Sequence, residues 1–256
     1  MKKRVAIIPT ILIVLMMACS LSSKTGTTPQ AQPGLPGSNS SPDPNPVSIN
    51  EGLGSLDSYQ MTITIASTGP DPSQSSNTTV ETQRSKENDA TYTHMTMTSI
   101  PAGGGDPSNN DTELYRIGND QCSGSGEDWT WTSNTPAETE MLSVIKSMIG
   151  ITPLFDNPSF VGEETINDIP TNHFSFQLSG LGVKSGANVN INQGDYWLAK
   201  DGQYIVKYVL ILETSTEADA NILHEEISIE LTQINQPIDI AFPQACLDAS
   251  VPTPTP

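Results

Sequence analysis

Positive charge is scarce in this chain: 11 Lys plus Arg stand against 29 Asp plus Glu in 256 residues. Three of the cations, Lys2, Lys3 and Arg4, crowd the N-terminus, so the remainder holds 8 basic and 29 acidic residues, a net charge of −21. Phosphate recognition needs Lys and Arg, and a field of the opposite sign repels it, so nucleic-acid partners are excluded. Charge of either sign is sparse, at 16% of residues. Thr, Ser, Asn, Gly and Pro cover the surface instead, as suits a β-rich protein with many turns. No apolar run reaches the roughly 20 residues of a membrane-spanning helix. Catalytic and metal-binding patterns are missing as well. His94, His173 and His224 have no ligand-spaced neighbours, no CxxC is present, and Gly124-Ser125-Gly126 lacks the spacing of a nucleophile elbow. Asp106, Asp111 and Glu113 do not match an EF-hand and read as a solvated loop. No metal, no cofactor and no enzymatic activity are expected.

What is present begins at the N-terminus. Lys2-Lys3-Arg4 precedes an apolar run over residues 5–18, 14 residues long and interrupted by Pro9. A basic segment and a short apolar segment have the form of a signal peptide. The run ends in Leu15-Met16-Met17-Ala18-Cys19-Ser20, which resembles a bacterial lipobox. That resemblance implies a diacylglyceryl group on the Cys19 sulfur and cleavage after Ala18; Met16 departs from the Leu usual at its position. An ordinary signal peptide with a chance cysteine is the other reading. Residues 20–49 hold almost no large apolar side chains and cannot offset their chain entropy by burial. They read as a tether with a reach of about 30 Å. The expected organisation is a signal peptide over 1–18, lipidated Cys19 and tether over 19–49, one domain over 50–247, and a disordered tail over 248–256. The expected partner is the membrane, reached through lipid on Cys19, with the protein on the outer face of the cell membrane.

If Cys19 is lipidated, Cys122 and Cys246 remain. An even pair outside the cytoplasm is a disulfide candidate, and its loop of over 100 residues would stabilise the fold by about 4 to 5 kcal/mol on the chain-entropy model. Two free thiols are the alternative.

Along the domain the dominant period is two. Tyr59, Met61, Ile63 and Ile65 alternate with Gln60, Thr62 and Thr64, as in a strand with one buried face. Residues 77–85 are polar on both sides and read as an edge or weakly buried strand. Residues 90–99 alternate again, 101–110 read as a long loop, and 112–118 and 128–133 as short strands. Trp129 and Trp131 share one face of the second, for packing or for stacking on a ligand. At residue 135 the period changes. Thr135-Pro136-Ala137-Glu138 has the form of a capping box, and Ala137, Met141, Val144, Ile145 and Met148 recur at helical spacing up to Gly150. This predicts a helix over residues 136–149, followed by an apolar loop with Leu154, Phe155, Pro158 and Phe160. Strands resume at 160–166 and 171–178 around an Asn-Asp-Ile-Pro turn. Residues 179–194 are weakly patterned. A hairpin across Asp201-Gly202 joins 197–200 to 203–213, and the latter reads as a central strand covered on both faces. Ile227, Ile229 and Leu231 mark the last strand. Eight to ten strands and one clear helix give an α+β, mainly β fold: a curved antiparallel sheet, or half-barrel, covered by helical segments.

Two stretches carry a family resemblance. Val161-Gly162-Glu163-Glu164-Thr165-Ile166-Asn167-Asp168-Ile169-Pro170-Thr171-Asn172-His173-Phe174 is similar to a hairpin of the LolA-like and LppX/LprG-like lipoproteins. Residues 196–207 (YWLAKDGQYIVK) are similar to the segment that follows it there. The resemblance implies a half-barrel closed by helices around an apolar cavity that takes acyl chains of lipids or lipoproteins. It places the predicted helix over the concave face, with Met141, Val144, Ile145, Met148, Leu154, Phe155 and Phe160 as cavity-wall candidates. Methionine suits such a wall because its unbranched side chain adapts to variable chains. The alternative is a filled core with no ligand, in a structural or protein-interaction lipoprotein.

Overall fold

The computed structural model describes residues 42–44, 49–101, 105–133, 155–178, 187–216 and 222–250. It opens with a short helix α1 (Ile49–Gly54), followed by strands β1 (Ser58–Thr68), β2 (Ser76–Ser85), β3 (Ala90–Ser99), β4 (Ser108–Ile117), β5 (Asp120–Ser125) and β6 (Asp128–Thr132). Then come β7 (Phe155–Ile166), β8 (Ile169–Leu178), β9 (Ala187–Ala199), β10 (Ile205–Thr216), β11 (Ile222–Thr232) and a closing helix α2 (Gln244–Ala249). The eleven strands form one curved antiparallel sheet in the order β6-β5-β4-β3-β2-β1-β11-β10-β9-β8-β7. Two meanders, β1–β6 and β7–β11, are joined where β1 pairs with β11. Among the described residues the sheet is not closed: β6 and β7 are its two edges.

Alternation in the sequence becomes alternation of faces. Tyr59, Met61 and Ile63 are buried while Gln60, Thr62 and Thr64 are half-buried on the other side. Register then lines up one apolar face: Met61 lies opposite Leu231, Ile63 opposite Ile229 and Ile65 opposite Ile227. The turn between β7 and β8 places Asn167 at φ 50° and Asp168 at φ 65°. Two consecutive left-handed residues are what a tight hairpin turn needs, and Asn and Asp tolerate that conformation best after Gly.

Beyond β11 the chain crosses to the opposite face, where Ile238 and Ile240 pack with Ala90 against Tyr92, Tyr115 and Ile117. Cys246 of α2 is joined to Cys122 of β5, with both side chains fully buried. The disulfide candidate is therefore a disulfide in the structure.

Several expectations are corrected. The sheet has eleven strands, not eight to ten. Of the two readings of 77–85, an edge or a weakly buried strand, the edge is corrected: the segment lies inside the sheet between β1 and β3, with most of its residues half-buried. Its threonines hid this: Thr82 and Thr93 are buried with their hydroxyls 3.5 Å apart, so polar side chains fill interior positions. Residues 108–110, expected in a loop, belong to β4, where Thr98 donates to Asn109 at 2.9 Å and Ser99 meets Ser108 at 3.0 Å. The apolar stretch from Phe155 is strand rather than loop, with register shifts between Asp156 and Ser159 and between Phe160 and Gly162 that break its pattern. Weakly patterned residues 187–194 belong to β9. Strand β10 is buried chiefly on one face: Tyr208 and Leu210 are buried, Lys207, Val209 and Ile211 half-buried. The predicted helix over 136–149 lies outside the described residues.

Candidate ligand-binding face

A row of apolar side chains crosses one face of the sheet over eight strands. Following the register, Phe160 of β7 lies opposite Phe174 of β8, Phe174 opposite Tyr196 of β9, and Tyr196 opposite Tyr208 of β10. The row continues through Ile229 and Ile63 to Val80 and Met95. A parallel row runs through Phe176, Gly194, Leu210, Ile227 and Ile65. The aromatic end is tightly built. Phe174 stacks on Tyr196 at 5.1 Å, Phe176 stacks on Tyr208 at 5.4 Å and lies 5.8 Å from Tyr196. Glycine at 194 makes this possible, because a Cβ there would sit 2.4 Å from the Phe176 ring.

Tyr196 is the centre of the aromatic group and is fully buried. Its hydroxyl donates to the Pro44 carbonyl at 2.6 Å, so residues 42–44 lie against this face. Burial raises the Tyr196 phenol well above its ordinary value, and the Asp43 carboxylate pushes the same way. Burial likewise raises Tyr208.

Over β7–β10 the outer face is polar. His173 presents Nδ1 to Glu164 Oε1 at 2.8 Å and Nε2 to Asp195 Oδ1 at 2.9 Å. Its ring stacks on Trp197 at 4.3 Å, and Trp197 Nε1 donates to Glu164 Oε2 at 2.9 Å. Lys207 Nζ sits 5.2 Å from the Trp197 ring centre, a cation–π contact. The Trp197 hydrogen bond, with help from His173, holds the Glu164 carboxyl below the usual carboxylate value. The group ties β7, β8, β9 and β10 together. His94 pairs with Asp111 at 3.1 Å and His224 with Glu213 at 3.3 Å. Among the described residues no set of His, Cys, Asp and Glu could hold a metal ion.

The sequence-based site residues fall as follows. Cys19, Met141, Val144, Ile145, Met148 and Leu154 lie outside the described residues. Phe155 heads β7 opposite Leu178. Phe160, 39% exposed, meets Phe174 edge-on at 5.6 Å. Trp129 and Trp131 pack on the outer face, beside Tyr115 at 6.1 Å and Phe242 at 4.7 Å. Asp111 and Glu113 sit on β4, and Glu113 accepts a hydrogen bond from Tyr115 at 2.7 Å. Phe174, Phe176, Tyr196 and Tyr208 were not singled out as site residues. Their signal was the alternation in His173-Phe174-Ser175-Phe176 and Tyr196-Trp197-Leu198.

No protein-family model matches the sequence, and no curated protein matches it. Solved structures do match. The fold is similar to LprF from Mycobacterium bovis, at 13% identity and a TM-score of 0.41, covering 77% of this chain and 93% of that one. It is similar to the Mycobacterium tuberculosis lipoprotein LppX, at 15% identity and a TM-score of 0.36, covering 76% and 94%. The MucA/MucB complex of Pseudomonas aeruginosa matches at 10% identity and a TM-score of 0.28, covering 73% and 53%. Among the described residues no helix is long and apolar enough to cross a membrane.

Proposed function

We propose that this protein is a lipid-anchored, extracytoplasmic lipoprotein that holds an acyl chain or similar apolar ligand against the inner face of its sheet, with no catalytic step. The observation that supports this most is the uninterrupted apolar row from Phe160 to Met95 on an unclosed sheet. Phe174, Tyr196, Tyr208, Ile229, Ile63 and Val80 of that row are buried, so a ligand chain would lie there by displacing part of the chain that covers them. Apolar side chains and aromatic rings suit hydrocarbon, and the acidic surface keeps the loaded protein soluble at the end of its tether. The anchor reading rests on Lys2-Lys3-Arg4, the short apolar run and Cys19.

Titration of the full-length chain with fluorophore-labelled palmitate tests the reading. Saturable binding that unlabelled phospholipid displaces is expected. A non-saturating signal matched by a denatured control would overturn it and favour a closed core.

A further inference from the structure

The segment between the proposed anchor and the domain touches the proposed ligand face. Pro42 and Pro44 are half-buried and Asp43 is exposed, so the segment lies with its prolines inward. The Pro44 carbonyl takes the Tyr196 hydroxyl at 2.6 Å, at the centre of the Phe174, Phe176, Tyr196 and Tyr208 group. Tyr196 lies 152 residues away in sequence, so the contact closes a long loop. A buried phenol needs a partner for its hydroxyl, and here the partner is a backbone carbonyl; once the strap leaves, the hydroxyl turns to water or to the polar end of the ligand. Proline suits the role: two fixed φ angles lower the entropy lost on seating the strap, and proline carries no N–H of its own to satisfy on an apolar face.

We propose that residues 42–44 form a strap that competes with the apolar ligand for the Tyr196 end of the sheet, so that loading the face frees the strap and unloading reseats it. This rests on the apolar-ligand reading and adds a link between occupancy and the chain leading to the membrane. The strap loses its hydrogen bond when ligand enters, and ligand affinity is lowered by whatever the strap contact contributes.

The test uses the full-length chain, its Tyr196→Phe variant and a second variant with Pro42, Asp43 and Pro44 all changed to Gly. Tyr196→Phe keeps the ring stack and removes the hydroxyl that bonds the strap. The triple variant alters no strand, so it reports even if the tyrosine change harms folding. Two quantities are read: affinity for fluorophore-labelled palmitate, and the rate at which an aspartate-directed protease cuts ahead of Asp43, followed by fragment mass. Tyr196→Phe is expected to bind the probe about five-fold more tightly, the size of one net hydrogen bond; the triple variant keeps a carbonyl at position 44 but loses the two fixed φ angles that favour seating, and is also expected to bind more tightly. Cleavage ahead of Asp43 is expected to be faster in Tyr196→Phe, and to quicken in the unchanged protein as probe is added. Probe binding with the same affinity in all three, and cleavage indifferent to probe, would overturn the strap while leaving the ligand reading in place. Absence of saturable binding in all three would end both.

Discussion

Gly194 of β9 lies between Phe176 of β8 and Leu210 of β10. A Cβ there would meet Phe176 Cζ at 2.4 Å and the Val209 carbonyl oxygen at 2.6 Å. The ring can turn aside, but the backbone oxygen can move only with its strand. Gly194→Ala is therefore expected to cost about 1 to 3 kcal/mol, read as a lower denaturant midpoint. Gly162→Ala is the control: its Cβ would meet nothing within 4 Å, and the change should stay within about 0.5 kcal/mol. Equal losses at the two positions would contradict the packing described. The tyrosines give a second residue-scale expectation. All six are raised from 10.0, with burial the first cause in each. Tyr92 reaches about 12, with the Glu113 carboxylate adding to burial. Folded values above unfolded ones mean that the phenols add stability that is complete below pH 10 and is lost as pH rises through the folded values. Tyrosinate absorbance should therefore appear near pH 10 in urea and well above it in the native protein. Native tyrosines that titrate together near the ordinary value would refute this.

The C-terminal segment is held by chemistry and by packing. Cys122 and Cys246 are 124 residues apart, and Ile238, Ile240 and Phe242 pack on the same outer face. Replacing both cysteines with Ala should destabilise the protein by about 4 to 5 kcal/mol on the chain-entropy model, seen in urea unfolding. Alkylation without reductant should leave both sulfurs untouched; free labelling of the native protein would contradict the pairing. Elements with one apolar and one polar face were legible in the sequence: β1, β3 and β11 alternate cleanly, and Asp201-Gly202 marks its turn, with Gly202 at φ 83°. Elements whose burial comes from neighbours were not. Strand β2 is interior although its residues are mostly Thr, Ser, Asn and Gln, because its flanking strands bury it from both sides. Strand β7 breaks its own alternation through register shifts, which no single-strand pattern reveals. The proposed ligand face was half legible for a related reason. Phe160 stood out beside apolar neighbours, whereas Phe174, Tyr196 and Tyr208 form one surface only after three strands are paired.

At the scale of the whole molecule, an acidic domain carries an inward apolar face and stands at the end of a proposed tether and lipid anchor. Cys19→Ala should move the protein from the membrane fraction to the soluble fraction, or leave it unprocessed, with the fold and its disulfide intact. Detergent partitioning identical to the unchanged protein would remove the anchor from the account. Occupancy of the face that runs from Phe160 to Met95 by the proposed ligand is the central claim. Native mass spectrometry of the full-length chain, purified from its host membrane under mild detergent, measures that occupancy directly. A bound mass of one lipid beyond the covalent anchor, lost on denaturation, is expected, and the same preparation of a Gly194→Trp variant should carry less of it. A single unliganded mass from the unchanged protein would contradict the account.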